Sequence, residues 1–263
     1  MVKANGSEMR TDRPSSPPRV AQTGALMGPF AEMPKRHAAF LSNVGRGWRT
    51  GCRCIHYLLL GPPKGVPGLV DFVCGDHFLS AGQVVSELAA LGEILAARRP
   101  ERALEIGTAR GGTLLFLCGV ASPQATIISV DLQGGKFGGG YGRTQGWLYK
   151  RFARRKQRLQ LLQGDSHSRD ILDKVKAALR GQELDYLFID GDHSYPGVKC
   201  DFEMYGPMVR KGGLIAFHDI VEGPPETVGG APRLWGEIKS KYRHIEIIKA
   251  PPSGRLRNRG VVP

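Results

Sequence analysis

The chain has 263 residues, 41% of them hydrophobic, enough for one α/β domain of ordinary size with a real core and some extensions. No apolar run reaches the length of a membrane span, no leader pattern opens the chain, and five scattered cysteines, an odd number, do not form a disulfide framework, so a soluble, cytoplasmic protein is expected. The net charge of +13 is concentrated in residues 1–56, 133–158 and 249–263, leaving the remainder mildly acidic, so the basic charge is expected on tails and one inserted loop.

Residues 1–50 are rich in Pro, Ser, Gly and Arg and are expected to be a disordered basic segment, with the domain proper over 51–263. Residues 51–79 carry Gly61-Pro62-Pro63 and Gly65-Val66-Pro67-Gly68 and read as an irregular lead-in. Cys52 and Cys54, with His56, lack the further ligand a metal site would need and read as reduced thiols. From Gln83 to Arg98, Val84, Leu88, Leu91 and Leu95 fall at helical spacing, and Arg98, Arg99 and Pro100 supply the stop.

The next stretch organises the rest. Ala103–Ile106 is an apolar strand, glycines stand at 107, 111 and 112, Thr113–Val120 is long enough for two helical turns, and Thr126–Val130 is β-branched, which together make a βαβ unit. Gly107 permits a sharp turn through Thr108, and Gly111 and Gly112 are expected to expose backbone amides to a ligand. Asp131, 24 positions after Gly107, stands where nucleotide-binding α/β folds put a carboxylate on the ribose hydroxyls. The spacing Glu105-x-Gly107-x-x-x-Gly111-Gly112 is not the dinucleotide G-x-G-x-x-G, and Glu105 would repel a pyrophosphate but attract a sulfonium or amino group.

Gln133–Gly146 is a glycine-rich loop, either a mobile lid or a plain connection. A basic helix is expected over Trp147–Arg158, then a third strand at Leu159–Leu162 ending in Gly164-Asp165-Ser166. That carboxylate and hydroxyl suit an adenine amino group, or else cap the helix that runs through Leu179. Leu184–Ile189 and Gly212–Phe217 are strands four and five, joined by a crossover helix over Val198–Val209. They are therefore expected as parallel neighbours about 5 Å apart, with Asp190, His193, His218 and Asp219 at their carboxyl ends. In open α/β sheets that edge is the ligand crevice. A helix over Pro232–Tyr242, a strand at His244–Ile248 and a short strand at Gly260–Val262 complete the reading.

With L-E-I-G-T-A-R-G-G-T at 104–113 and F-I-D-G-D-H-S-Y at 188–195, the chain resembles the class I S-adenosylmethionine-dependent methyltransferases over residues 80–248. Within them it is similar to the cephalosporin-hydroxylase-like and sugar or macrolide O-methyltransferases. The resemblance implies a Rossmann-like, doubly wound seven-stranded α/β sheet, mostly parallel with an antiparallel last strand. It also implies S-adenosylmethionine at Glu105, Gly107, Thr108, Gly111, Asp131, Asp165 and Ser166. The acceptor it implies is a small-molecule or sugar hydroxyl.

Two chemistries for activating that hydroxyl stand side by side. In the first, Asp190 and Asp219 hold a divalent cation such as magnesium, as the resembling enzymes do at matching positions, although those enzymes have an oxygen donor where this chain has His218. In the second, His218 or His193 is the general base, with an ordinary pKa near 6.5. A nucleic-acid methyltransferase, suggested by the basic segments, and a non-catalytic adenosine-ligand binder are the alternative functions.

Overall fold

The alternation of apolar runs and helical stripes resolves into a parallel sheet covered on both faces. The computed structural model describes residues 57, 61, 63–75, 79–134 and 139–248 and the backbone of 258–262, all within one compact unit. Strands β1 (Arg102–Ile106), β2 (Thr126–Asp131), β3 (Arg158–Gln163), β4 (Leu184–Ile189) and β5 (Val209–His218) lie in the order 3-2-1-4-5, all parallel. Beyond β5 the sheet continues through β7 (Asn258–Val262) to β6 (Ile245–Ile248), with β7 antiparallel to both neighbours.

Successive side chains of a strand point to opposite faces, and the core divides accordingly. Ala103 and Ile127 pack into one cluster with α1 (Gly65–Gly75), α2 (Val85–Arg98) and α3 (Gly112–Val120). Leu104 and Ile128 pack into the other, with α5 (Arg169–Leu179), α6 (Tyr195–Tyr205) and α8 (Ala231–Ile238). The remaining helices are α4 (Arg143–Tyr149) and the single turn α7 (Pro225–Val228). Among the described residues, no helix is long and apolar enough to cross a membrane.

Several boundaries differ from expectation for identifiable reasons. The lead-in at 51–79 contains a true helix, α1, because Pro67 falls in its first turn, where a missing N–H costs nothing. Its Val66 and Leu69 fill space left by glycines inside the neighbouring helices. A Cβ on Gly92 would lie 2.6 Å from Val66 Cγ1, and one on Gly119 would lie 2.4 Å from Leu69 Cδ1.

The helix expected over 147–158 is instead 143–149, and the basic run after it is a turn. Gln157 closes that turn, accepting from Arg154 N at 2.9 Å and donating to the carbonyls of Cys118 and Ser122 at 3.0 and 2.9 Å. The crossover helix α6 starts three residues earlier than expected, where Ser194 Oγ caps Gly197 N at 3.1 Å and Pro196 sits in the first turn. The cap of α5 is Ser168, which accepts from Ile171 N at 3.3 Å, and not Asp165 or Ser166. The segment 1–50 and the CxC pair at 52 and 54 lie outside the described residues, as do residues 135–138 of the glycine-rich loop.

Candidate active site

One cavity of about 1350 Å³ opens along the carboxyl edge of the sheet. At one end, β4 and β5 run in register with Ile189 beside Phe217, so the next residues, Asp190 and His218, emerge side by side. Asp219 then takes a left-handed conformation, φ 54°, and its carboxylate lies against the same imidazole. His218 Nδ1 lies 3.0 Å from Asp190 Oδ1 and 3.3 Å from Asp219 Oδ2. His193 joins from the loop after β4, with Nε2 3.5 Å from Asp190 Oδ1 and Nδ1 3.4 Å from Asp219 Oδ2. The same Nδ1 donates to the Thr227 carbonyl at 2.7 Å. Gln83 Nε2 donates to the other Asp190 oxygen at 3.1 Å, a contact the sequence gave no sign of, since Gln83 had read only as the start of a packing helix.

Burial alone would make both histidines less basic and Asp190 less acidic, but the opposite charges win. The Asp190 carboxylate, then Asp219, pushes His218 up to about 9. His193 is raised by its bond to Asp190, by the Asp190 charge and by the Thr227 carbonyl. Asp190, facing His218 and His193, is held well below the usual carboxylate range. The ordinary value near 6.5 expected for a histidine base therefore does not describe His218, which is an imidazolium at neutral pH.

The carboxylates of Asp190 and Asp219 offer the hard oxygen donors a divalent cation wants. As arranged, however, they do not fit one. The position they share is spanned by the charged His218 ring, and among the described residues no three His, Cys, Asp or Glu side chains converge in a metal-holding geometry. His218 Nε2, by contrast, is buried at the cavity wall with no hydrogen-bond partner among the described residues.

The other end is built from β1, β2 and β3. Gly107, φ 87°, Thr108 and Asp131 line the cavity there, and Asp165 and Ser166 line it after β3. Thr108 N donates to Asp131 Oδ1 at 3.3 Å and Gly140 N donates to Asp131 Oδ2 at 2.7 Å. Asp131 is raised by burial, against which the backbone donors of Gly140 and Thr108 act to keep it ionised. A carboxylate on a cavity wall, beside the turn at Gly107, fits a ribose diol.

Two expected cofactor contacts fall elsewhere. Glu105 lies beneath the turn and off the cavity wall, wholly buried, pairing across the strands with Ser129, whose hydroxyl donates to Glu105 Oε2 at 3.4 Å. Burial pushes Glu105 up to about 8, so at neutral pH it is a neutral acid with no charge to offer a sulfonium. Gly111 is glycine because its φ is 78° and a Cβ would meet the Tyr149 ring at 2.6 Å, and Gly112 because a Cβ would meet the Leu79 carbonyl at 2.2 Å. These two glycines serve packing within the protein and do not open amides to a ligand.

Tyr141 was not anticipated. Its hydroxyl reaches Ser129 Oγ at 2.8 Å and Thr108 Oγ1 at 3.2 Å, tying the glycine-rich loop to the turn. An aromatic set among glycines, as Phe137 is in the same loop, was the available signal.

Residues 104–220 match the family described as a methyltransferase domain. An uncharacterized protein of Acanthamoeba polyphaga mimivirus is 56% identical over 75 residues, which are 27% of this chain and 34% of that protein, so the chain spans about a third of the relative's length. Among solved structures, the O-methyltransferase from Bacillus cereus in complex with SAH aligns over 79% of this chain and 94% of its own, with a TM-score of 0.53 at 18% identity. The MycE methyltransferase from the mycinamycin biosynthetic pathway, solved with Mg and SAH, aligns over 78% of this chain and 60% of its own, with a TM-score of 0.51 at 17% identity. At such identities the likeness is one of fold.

Proposed function

We infer that this chain, whose residues 104–220 match a methyltransferase domain, is a class I S-adenosylmethionine-dependent methyltransferase that methylates a hydroxyl of a small molecule or sugar. The observation that carries the reading is the meeting, in one cavity, of a ribose-suited Asp131 with a histidine and carboxylate cluster at the ends of β4 and β5. The sheet order and the antiparallel end of the sheet agree with that fold. In this reading residues 51–263 form the catalytic domain, residues 1–50 are a basic extension, and the protein works in the cytoplasm.

When bound, S-adenosylmethionine supplies an electrophilic methyl group. Asp131 accepts from the ribose hydroxyls, the Thr108 and Gly140 amides hold its carboxylate in place, and Asp165 with Ser166 meets the adenine. In its neutral form His218 Nε2 would take the acceptor hydroxyl's proton as the C–O bond forms and the S–CH₃ bond breaks, with S-adenosylhomocysteine as the leaving group. Asp190 and Asp219 stabilise the imidazolium that results, and Gln83 keeps Asp190 turned toward it. Both nitrogens of His193 are engaged, so it acts as a positioning residue that ties the loop at Thr227 to the carboxylates. With a pKa of about 9, roughly one His218 in a hundred is neutral at pH 7, so the rate rises with pH toward that value.

A second reading, in which a divalent cation such as the magnesium of MycE sits at Asp190 and Asp219, would require the His218 ring to leave the position it spans between them. Calorimetry with S-adenosylmethionine, S-adenosylhomocysteine and NAD tests the cofactor, and tight NAD binding without the other two would overturn it. Transfer of labelled methyl to an acceptor tests the activity. Survival of that transfer in chelator keeps the histidine, and its loss with recovery on added magnesium installs the metal.

A further inference from the structure

We propose that the acceptor is cationic, a hydroxyl compound carrying an amino group, which Asp192 and Glu222 read electrostatically while its hydroxyl meets His218 Nε2. The inference rests on the methyltransferase reading and adds the substrate class.

The protein as a whole carries +13, yet its cavity is acidic. Among the described residues, seven carboxylates line it, against one guanidinium, that of Arg110, and three imidazoles. Even with every imidazole counted as charged, three negative charges are left over. S-adenosylmethionine carries a net single positive charge and offsets one of them. The rest face the acceptor, because among the described residues the carboxyl ends of β4 and β5 and the loop after them contribute five of the seven acids and no Lys or Arg. Asp190 and Asp219 are balanced there by His193 and His218. Asp192 is exposed in the loop after β4, where its Oδ1 accepts from Ser194 N at 2.8 Å and its carboxylate lies against Gly197 at the start of α6, and Glu222 follows on the β5 side.

A cleft lined by one sign of charge between low-dielectric walls concentrates the opposite ion and repels its own. Phosphorylated, carboxylated and nucleic-acid acceptors are disfavoured in it. The basic segment 143–158 contributes nothing to the cavity wall and does not alter that balance. His218 lines the cavity with its buried Nε2 lacking a partner among the described residues, so a ligand's polar group there would satisfy it. Hydroxyl at His218 and ammonium toward Asp192 and Glu222 together satisfy both features.

The test uses the full chain saturated with S-adenosylhomocysteine and a set of aminohexoses, each matched with its N-acetyl, plain-hexose and uronic-acid form, with binding read by saturation-transfer NMR. The amine is expected to bind about tenfold more tightly than its N-acetyl partner and the uronic acid most weakly, a difference of the size that one or two partly screened charges supply. Asp192→Asn with Glu222→Gln should shrink the amine's advantage to about twofold, and Glu222→Gln alone, at an exposed position, gives a partial loss if the double variant does not fold. Amines that bind no better than their N-acetyl forms, that do not bind, or whose advantage survives both substitutions overturn the proposal. Calorimetry of S-adenosylhomocysteine on the same samples keeps this failure distinct, since absent cofactor binding would instead sink the methyltransferase reading.

Discussion

The two ends of the cavity are made by different means. Around Gly107 the chain is shaped by what glycine lacks, and beside it the Asp131 carboxylate is held by backbone amides. Around His218 the shape comes from charged side chains that neutralise one another at 3.0 to 3.5 Å. The first end is set by sterics and should fail through the fold. The second is set by electrostatics and should fail through chemistry while the fold survives. One residue joins them, since a Cβ on Gly107 would sit 2.0 Å from the Asp190 carbonyl.

Gly107→Ala is therefore expected to have the largest effect. A left-handed φ of 87° and that backbone clash combine, and β1 must part from β4 just where Asp190 N donates to the Ile106 carbonyl at 2.9 Å. Overpacking of this kind costs about 1–3 kcal/mol before the φ penalty is added. Thermal denaturation and S-adenosylhomocysteine calorimetry should both show severe loss. Native stability with lost activity would mean that the two ends are not mechanically linked.

His218→Gln should reverse the pattern, lowering kcat by roughly 10²–10⁴-fold with cofactor affinity within a few-fold, because the ring touches the acceptor side alone. In the parent enzyme kcat/KM should climb toward about pH 9, and that rise should vanish in the variant. A profile that levels off near pH 6.5 would show that Asp190 does not hold the proton on His218.

Much of this contrast could be read from the sequence, though unevenly. The strands, the parallel pairing of β4 with β5 and the meeting of Asp190 with Asp219 in one crevice followed from apolar runs separated by a helical stretch, since apolar periodicity is a local signal. Helix α1 did not, because the burial that makes Val66 and Leu69 helical depends on Gly92 and Gly119, distant in the chain. The role of Gly111 was misread because glycine in a turn looks the same whether a ligand or Tyr149 fills the space. Glu105 kept its expected place at the end of β1 but lost its expected charge, which depends on burial that only the three-dimensional packing sets. Tyr141 and Gln83 reach their partners across loops, and no spacing rule anticipates such contacts.

Asp131→Ala addresses the amide-held end without disturbing its backbone. Loss of a charge-assisted hydrogen bond to a ribose diol should weaken cofactor binding by about 1.5–3 kcal/mol, with little change in stability, since burial already works against that carboxylate. Unchanged affinity would remove the nucleoside assignment. The charged end should instead show itself in stability against pH. The folded-state pKa of His218 lies above its unfolded value, so its contribution is fully present below about pH 6.5 and is lost as pH rises through about 9. Asp190 is depressed, so its contribution is present above about pH 4 and is lost in stronger acid. Denaturant midpoints across that range should fall on the alkaline side in the parent and stay flatter in His218→Gln. Equal slopes in the two proteins would show that the cluster adds no net stability.

The smallest expected effect separates ligand contact from helix capping after β3. Ser168 Oγ accepts from Ile171 N and starts α5, whereas Asp165 and Ser166 line the cavity just before it. Ser168→Ala should cost about 1 kcal/mol of stability, the usual worth of an N-cap, and leave S-adenosylhomocysteine affinity unchanged. Asp165→Ala should do the opposite, weakening the cofactor several-fold through the lost adenine contact while α5 keeps its cap. Its own bond to His167 N at 2.9 Å is exposed and contributes little to the fold. If Asp165→Ala destabilises the protein as much as Ser168→Ala and leaves the cofactor untouched, the Gly164-Asp165-Ser166 turn is structural. The adenine must then be read from another part of the wall, with His167, which also lines it, the next residue to replace.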